Sequence, residues 1–148
     1  AHRKVEVRRE AMRALVMLAK PADPQLFDIY SKAMQDDDTD LKMVALDGLA
    51  PYGDARAAQY IGLPLIDDRS PKELKLKTIQ VLGALGIPEA VEHTVRGLFD
   101  DDREIKLATL DALAKLKSDK ASRPLQEFIL REQDAEVKAK ANATLEAL

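Results

Sequence analysis

Five copies of one three-residue phrase limit what this chain can fold into. Acid, aliphatic and base recur as Glu6-Val7-Arg8, Asp40-Leu41-Lys42, Glu73-Leu74-Lys75, Glu104-Ile105-Lys106 and Glu136-Val137-Lys138. With the aliphatic residue as origin, successive copies lie 34, 33, 31 and 32 residues apart, a length that accommodates two short helices and two turns. A unit of that size cannot bury an apolar side alone, so the copies must stack and share a core.

The residues that follow each phrase supply the shared core. Eight positions after the origin stand Leu15, Leu49, Leu82, Leu113 and Leu145, and eleven after it Leu18, Tyr52, Leu85, Leu116 and Leu148. Four after it are the small residues Ala11, Ala45, Thr78, Thr109 and Ala141, which complete one apolar face at helical period and permit close helix approach. The pattern predicts second helices of the hairpins at about 4–19, 39–52, 71–86, 103–117 and 135–148. Between them, apolar sets such as Leu26, Ile29, Ala33, Met34 and Val91, Val95, Leu98, Phe99 predict first helices at about 23–35, 54–66, 88–99 and 120–132.

Turns are marked by Pro21 and Pro24, Gly53, Gly86 with Pro88, and the acidic stretches at Asp36 to Asp38, Asp67-Asp68 and Asp100 to Asp102. Pro64 falls inside an otherwise helical stretch and should kink it. No two-residue alternation runs through the chain and aromatic residues make up 4%, so strands have no support. The expected fold is an all-α solenoid of nine helices, about four and a half stacked antiparallel hairpins.

Hairpins of this length, with aspartates in the central loop followed by an aliphatic-base pair and Ala-x-x-Ala-Leu, resemble HEAT repeats, nearest the short PBS-lyase HEAT-like type of bacteria and archaea. The resemblance covers the whole chain. Tetratricopeptide repeats share the period, but tryptophan is absent and the unit length varies; the ankyrin Thr-Pro-Leu-His signature is absent too. The resemblance implies a ladder of loop acids and helix bases, and a curved surface that binds other proteins.

The five bases after the origin, Arg8, Lys42, Lys75, Lys106 and Lys138, lie about 100° round the helix, within the apolar arc, where a cation needs a partner. Acids of the preceding loop are the expected partners, making a structural ion-pair ladder. Asp36, Asp38 and Asp40 imitate the opening of a calcium-binding EF-hand loop. The imitation fails at the sixth position, Leu41, and at the twelfth, Asp47, so capping of the next helix is the better reading.

Catalytic chemistry finds little to build on. Cysteine is absent, and the two histidines, His2 and His93, are too few for a multi-histidine metal centre; His93 is expected to be solvated. No Gly-x-Ser-x-Gly, P-loop or dinucleotide fingerprint occurs. The expectation is a non-enzyme without catalytic, metal or cofactor residues, cytoplasmic in location.

The remaining candidate is a stripe on the second helices facing away from the first helices, the concave face of a solenoid: Arg13, Met17 and Lys20, then Asp47, Pro51 and Asp54, then Gln80 and Ala84 with Ile87, then Asp111 and Lys115 with Ser118. Its charge alternates in sign, and the chain carries a formal charge of −3. A nucleic-acid track needs repeated bases, so an extended peptide or a partner helix fits the stripe better. Two alternatives follow from the resemblance, a bilin-lyase-like or other enzyme-associated protein and a nucleic-acid-binding domain like the HEAT-like DNA glycosylases.

A final expectation concerns the two ends. Residues 1–20 carry six bases against Glu6 and Glu10, and Val7, Ala11, Leu15 and Leu18 face a first helix that the chain does not contain. Arg8 lacks a preceding acidic loop. The last unit places Asn142 where its counterparts are Met12, Leu46, Ile79 and Leu110. A segment of a longer array, cut on its N-terminal side and self-associating through residues 1–20, is the expectation.

Overall fold

A computed structural model describes residues 2–148, with side chains from Arg3 onward. Nine α-helices and no strand are present among the described residues. They are α1 (His2–Leu18), α2 (Phe27–Ala33), α3 (Thr39–Leu49), α4 (Ala55–Ile61), α5 (Lys72–Leu85), α6 (Val91–Thr94), α7 (Arg103–Leu116), α8 (Ser122–Arg131) and α9 (Ala135–Glu146). The second helices α1, α3, α5, α7 and α9 pack successively side by side, and α2, α4, α6 and α8 cover them as a second layer.

The second helices match the sequence pattern closely because their apolar rungs are continuous over three turns or more. Leu41, Leu74, Ile105 and Val137 are buried at the origin, as are Ala45, Thr78, Thr109 and Ala141 four residues on. Leu49, Leu82 and Leu113 are fully enclosed, whereas Leu145 is half-buried. In each middle helix a second face, at Leu46, Ile79 and Leu110, is buried as well. Met12 occupies that position in α1 and is buried, but Asn142 in α9 is exposed. α1 therefore uses one of its two apolar faces: Val7 and Leu18 are 61% and 84% exposed.

The first helices are shorter than the pattern suggested. α2 begins at Phe27 because Pro21 to Pro24 form turns, with Asp23 accepting the Leu26 and Gln25 amides. Pro64 does more than kink its helix. α4 ends at Ile61, and Leu63–Leu65 continue as a 3₁₀ turn in which Pro64, lacking a donor amide, sits buried. The stretch 88–99 splits into a 3₁₀ turn, the single turn of α6 and a second 3₁₀ segment, Val95–Phe99. Ile29 and Phe99, expected in the core, are 45% and 55% exposed. Phe27 and Tyr30 fill the core instead, meeting Tyr52 and Tyr60 edge-to-face at centroid distances of 5.2 to 6.4 Å.

Close approaches between helices rely on missing side chains. A Cβ on Gly48 would lie 2.7 Å from the Tyr30 ring, and one on Gly83 2.9 Å from the Ala112 Cβ, so α5 and α7 touch at a Gly–Ala contact. Twelve residues past the origin, the left-handed Gly53, Gly86 and Lys117, at φ of 59°, 68° and 47°, end the 3₁₀ turn Ala50–Tyr52 that continues α3, and α5 and α7 themselves.

Candidate binding surface

Polar groups along one edge hold the hairpins in register. Asp38, Asp102 and Asp134 cap α3, α7 and α9, accepting amides two or three residues ahead. Each cap also takes a cation from the repeat before it. Arg9 grips Asp38 with two bonds of 2.6 and 2.8 Å, Lys72 lies 3.1 Å from Asp102, and Arg103 donates to Asp134 at 2.8 Å. The hydrogen bonds from Arg9, Lys72 and Arg103 hold these three carboxyls below the usual carboxylate range.

Of the five bases after the origin, the three that pair among the described residues run in the direction opposite to the one expected. Lys75 donates to Asp100 and Lys106 to Glu132, both at 2.9 Å, and Arg8 reaches Asp36 at 3.4 Å. These acids belong to the following loop. Before α7 the preceding acids are already engaged, since Asp102 caps its own helix and accepts Lys72 while Asp100 takes Lys75; before α5, Asp67 turns back to Arg69. Arg8 is therefore not orphaned as the sequence suggested. Among the described residues, Lys42 faces Asp67 across a small cavity without an ion pair, and Lys138 is exposed and has no ion pair. Asp100 is lowered: its burial opposes ionisation, but the Asp102 amide and Lys75 outweigh it. Lys106 lowers Glu132 against the same opposition.

Asp36, Asp38 and Asp40 are engaged as well. Asp38 holds Arg9 and the Leu41 amide, Asp36 accepts the Asp38 amide, and Asp40 lies 3.5 Å from Arg9. Among the described residues, no group of three or more His, Asp or Glu side chains is placed to hold a metal ion. His2 lies outside the described side chains.

His93 is buried, 7% exposed, and not solvated as the sequence suggested. Its ring fits against Gly62, where an added Cβ would lie 2.9 Å from the histidine Cβ. Burial first, then Arg96 at 3.1 Å from Nδ1, pushes its pKa down, and Glu92 opposes. His93 thus stands neutral at the floor of a groove of about 490 Å³ between α4 and α6. No serine, threonine or cysteine lines that groove to act as a nucleophile.

The second-helix stripe is laid out as one exposed row per repeat. Arg13, Met17, Lys20, Asp47, Pro51, Asp54, Gln80, Ala84, Asp111 and Lys115 are all exposed, and Ile87 and Ser118 are half-buried. Four of the ten are engaged within the chain, Arg13 by Glu10 on its own helix. Asp54 caps α4 through the Ala57 amide at 2.8 Å, and Asp47 and Asp111 accept Lys77 and Lys140 of the next repeat at 3.0 and 2.7 Å. Lys77 and Lys140, three residues past their origins, are members of this surface that the residue count passed over. Their signal was a base standing at the same position in two copies. Between α5 and α7 the stripe holds a groove of about 260 Å³, floored by Leu76, Ile79, Gly83, Ala108 and Ala112, with Gln80, Asp111 and Lys115 on its banks.

Comparison with known families agrees with this layout. No curated protein matches the chain. The family described as HEAT repeats matches residues 63–146, from the 3₁₀ turn after α4 to the end of α9. HEAT repeats commonly act as protein-interaction scaffolds, and no helix among the described residues is long and apolar enough to cross a membrane. With more than half its length matched and the same rungs continuing through the rest, the chain belongs to the HEAT-repeat family.

Proposed function

We infer that this chain is a non-enzymatic scaffold whose second-helix face receives another protein as an extended peptide or a helix. The observation that carries the reading is the apolar groove between α5 and α7, which belongs to a stripe of exposed rows on α1, α3, α5 and α7 and is lined by neutral or oppositely charged groups. Its floor of Gly83, Ala108 and Ala112 lets a partner backbone approach closely, while Gln80 and Lys115 supply hydrogen bonds at the edge. Unit lengths of 31 to 34 residues support a reading nearest the short PBS-lyase HEAT-like type.

Affinity capture with the intact chain, followed by cross-link mapping, tests this. Cross-links should fall on Gln80, Ala84 and Lys115, and Ala84→Arg, at an exposed position, should abolish capture while Arg123→Glu on the first-helix side leaves it intact. A footprint confined to α4, α6 and α8 overturns the choice of face.

A further inference from the structure

The groove between α4 and α6 is divided by charge along its length. Gly62, at the end of α4, meets His93 so closely that an added Cβ would lie 2.9 Å from the histidine Cβ. That contact fixes the register of the two banks. Leu63 and Ile66, just past Gly62, are set against Arg96, just past His93, whereas Arg56 and Gln59 are set against Glu89 and Glu92. One end is thus apolar and cationic, and the other carries the acids. Ile66 is 58% exposed, and the groove of about 490 Å³ falls in the size range of ligand clefts.

The ring of His93 determines what the cationic end offers. Arg96 can only donate, so Nδ1 accepts its guanidinium at 3.1 Å and the neutral ring keeps its proton on Nε2. Nε2–H makes no hydrogen bond among the described residues; Glu92 approaches it at 3.4 Å with a side chain that is 75% exposed. The enclosed side-chain polar atoms without a partner are Ser70 Oγ and Thr78 Oγ1, so Nε2 is reached from the groove. Among the described residues no carboxylate pairs with Arg96, and Arg56 is occupied by the Phe27 ring at 3.6 Å.

We propose that this groove binds the C-terminus of a partner polypeptide, with its free carboxylate on Arg96 and His93 Nε2–H, its last, aliphatic side chain on Leu63 and Ile66, and a preceding basic side chain on Glu89 and Glu92. Glu92 leaves the ring for that base, and the Gln59 amide bonds the peptide backbone. A carboxylate held by a guanidinium and a buried imidazole takes charge-assisted bonds from both. The acids select a peptide over a small aliphatic acid. A free acid would leave Glu89 and Glu92 facing an anion with nothing to offset them, whereas a peptide places its base there. The groove belongs to the first-helix layer, so the proposal stands independently of what the second-helix stripe binds.

The test is a nuclear magnetic resonance titration of the intact, isotope-labelled chain with acetyl-Lys-Lys-Ala-Leu bearing a free C-terminus. Saturable shifts are expected at Gly62, the His93 ring and the Arg96 side chain. Affinity should fall about tenfold or more with the amidated peptide, with acetyl-leucine in place of the peptide, and in the Arg96→Gln and Ile66→Asp chains. Ile66 is exposed, and far-ultraviolet dichroism verifies that both variants keep the fold. A bound carboxylate favours the imidazolium, so the His93 pKa should rise on saturation with the acid and stay in place with the amide. Absence of saturable shifts overturns the proposal. So does equal binding of acid and amide, which would reduce the site to capture of basic side chains, and so does equal binding of acetyl-leucine, which would assign it to a small acid. Loss of binding in Ala84→Arg overturns it as well, by placing the peptide on the second-helix stripe.

Discussion

The seam between α5 and α7 and the seam between α3 and α5 are built from the same repeat, yet their polar fittings differ. At the first, Asp102 caps α7, Lys72 reaches that cap, Lys75 reaches Asp100, and Gly83 meets Ala112 in close contact. At the second, Pro71 stands where the cap acid would be, α5 begins without a side-chain cap, Asp67 turns back to Arg69, and Lys42 has no ion pair. The residues corresponding to Gly83 and Ala112 are Ala50 and Val81, which carry more side chain. Both seams nevertheless keep Leu49, Leu82 and Leu113, the rungs eight residues past the origin, at full burial. The rungs assemble the stack, and the cap-and-loop ladder is an addition that one seam can lack; at the α3–α5 seam Lys77 instead reaches Asp47 and the Met43 carbonyl.

The largest effect should therefore be common to both seams. Leu49→Ala and Leu82→Ala remove fully buried rungs, one at each, and each should cost about 2 to 5 kcal/mol in denaturant unfolding. Leu145→Ala, half-buried in α9, should cost less. A Leu49 loss far below the Leu82 loss would break the idea that rungs alone carry both seams.

A smaller effect should separate them. Lys75→Ala leaves Asp100 without its cation in a mostly covered site and should lower stability by about 1 kcal/mol, whereas Lys42→Ala should change it by less than about 0.5 kcal/mol. Equal losses would remove the ladder from the account.

Acid should expose the same difference more gently. Asp100 and Asp102 have pKa values held below the carboxylate range in the folded state, so the unfolded chain binds more protons as the pH falls. Their contribution is present above about pH 4, the unfolded value, and is lost as the pH drops through the folded values. Thermal midpoints between pH 5 and 2 should fall less steeply in Asp100→Asn than in the parent chain. An unaltered slope would show that the pairing contributes nothing to acid stability.

Much of the fold was legible because second-helix rungs repeat over three turns or more and no local residue contradicts them. First helices were less legible, since only short apolar sets mark them and Pro24 and Pro64 replace helix with turns. The burial of His93 had a signal only in three dimensions: nothing in the order of residues shows that Gly62 leaves room for its ring. The direction of the ladder was misread for a related reason. The acids nearest in sequence precede each base, but side-by-side packing of second helices brings the following loop closer. The exposed stripe could be read from helical angle alone, although not the use of Asp47 and Asp111 as acceptors for Lys77 and Lys140.

A ladder that reaches forward has a consequence for how the chain is made. Arg8, Lys75 and Lys106 find their acids 28, 25 and 26 residues further on. During synthesis, which proceeds from the N-terminus, each of these second helices is finished before its partner loop has been added. A nascent hairpin is thus held by its apolar rungs alone until most of another repeat has left the ribosome. Completion of these three units lags their translation by about one repeat, and the hairpin that follows each of them locks it in turn.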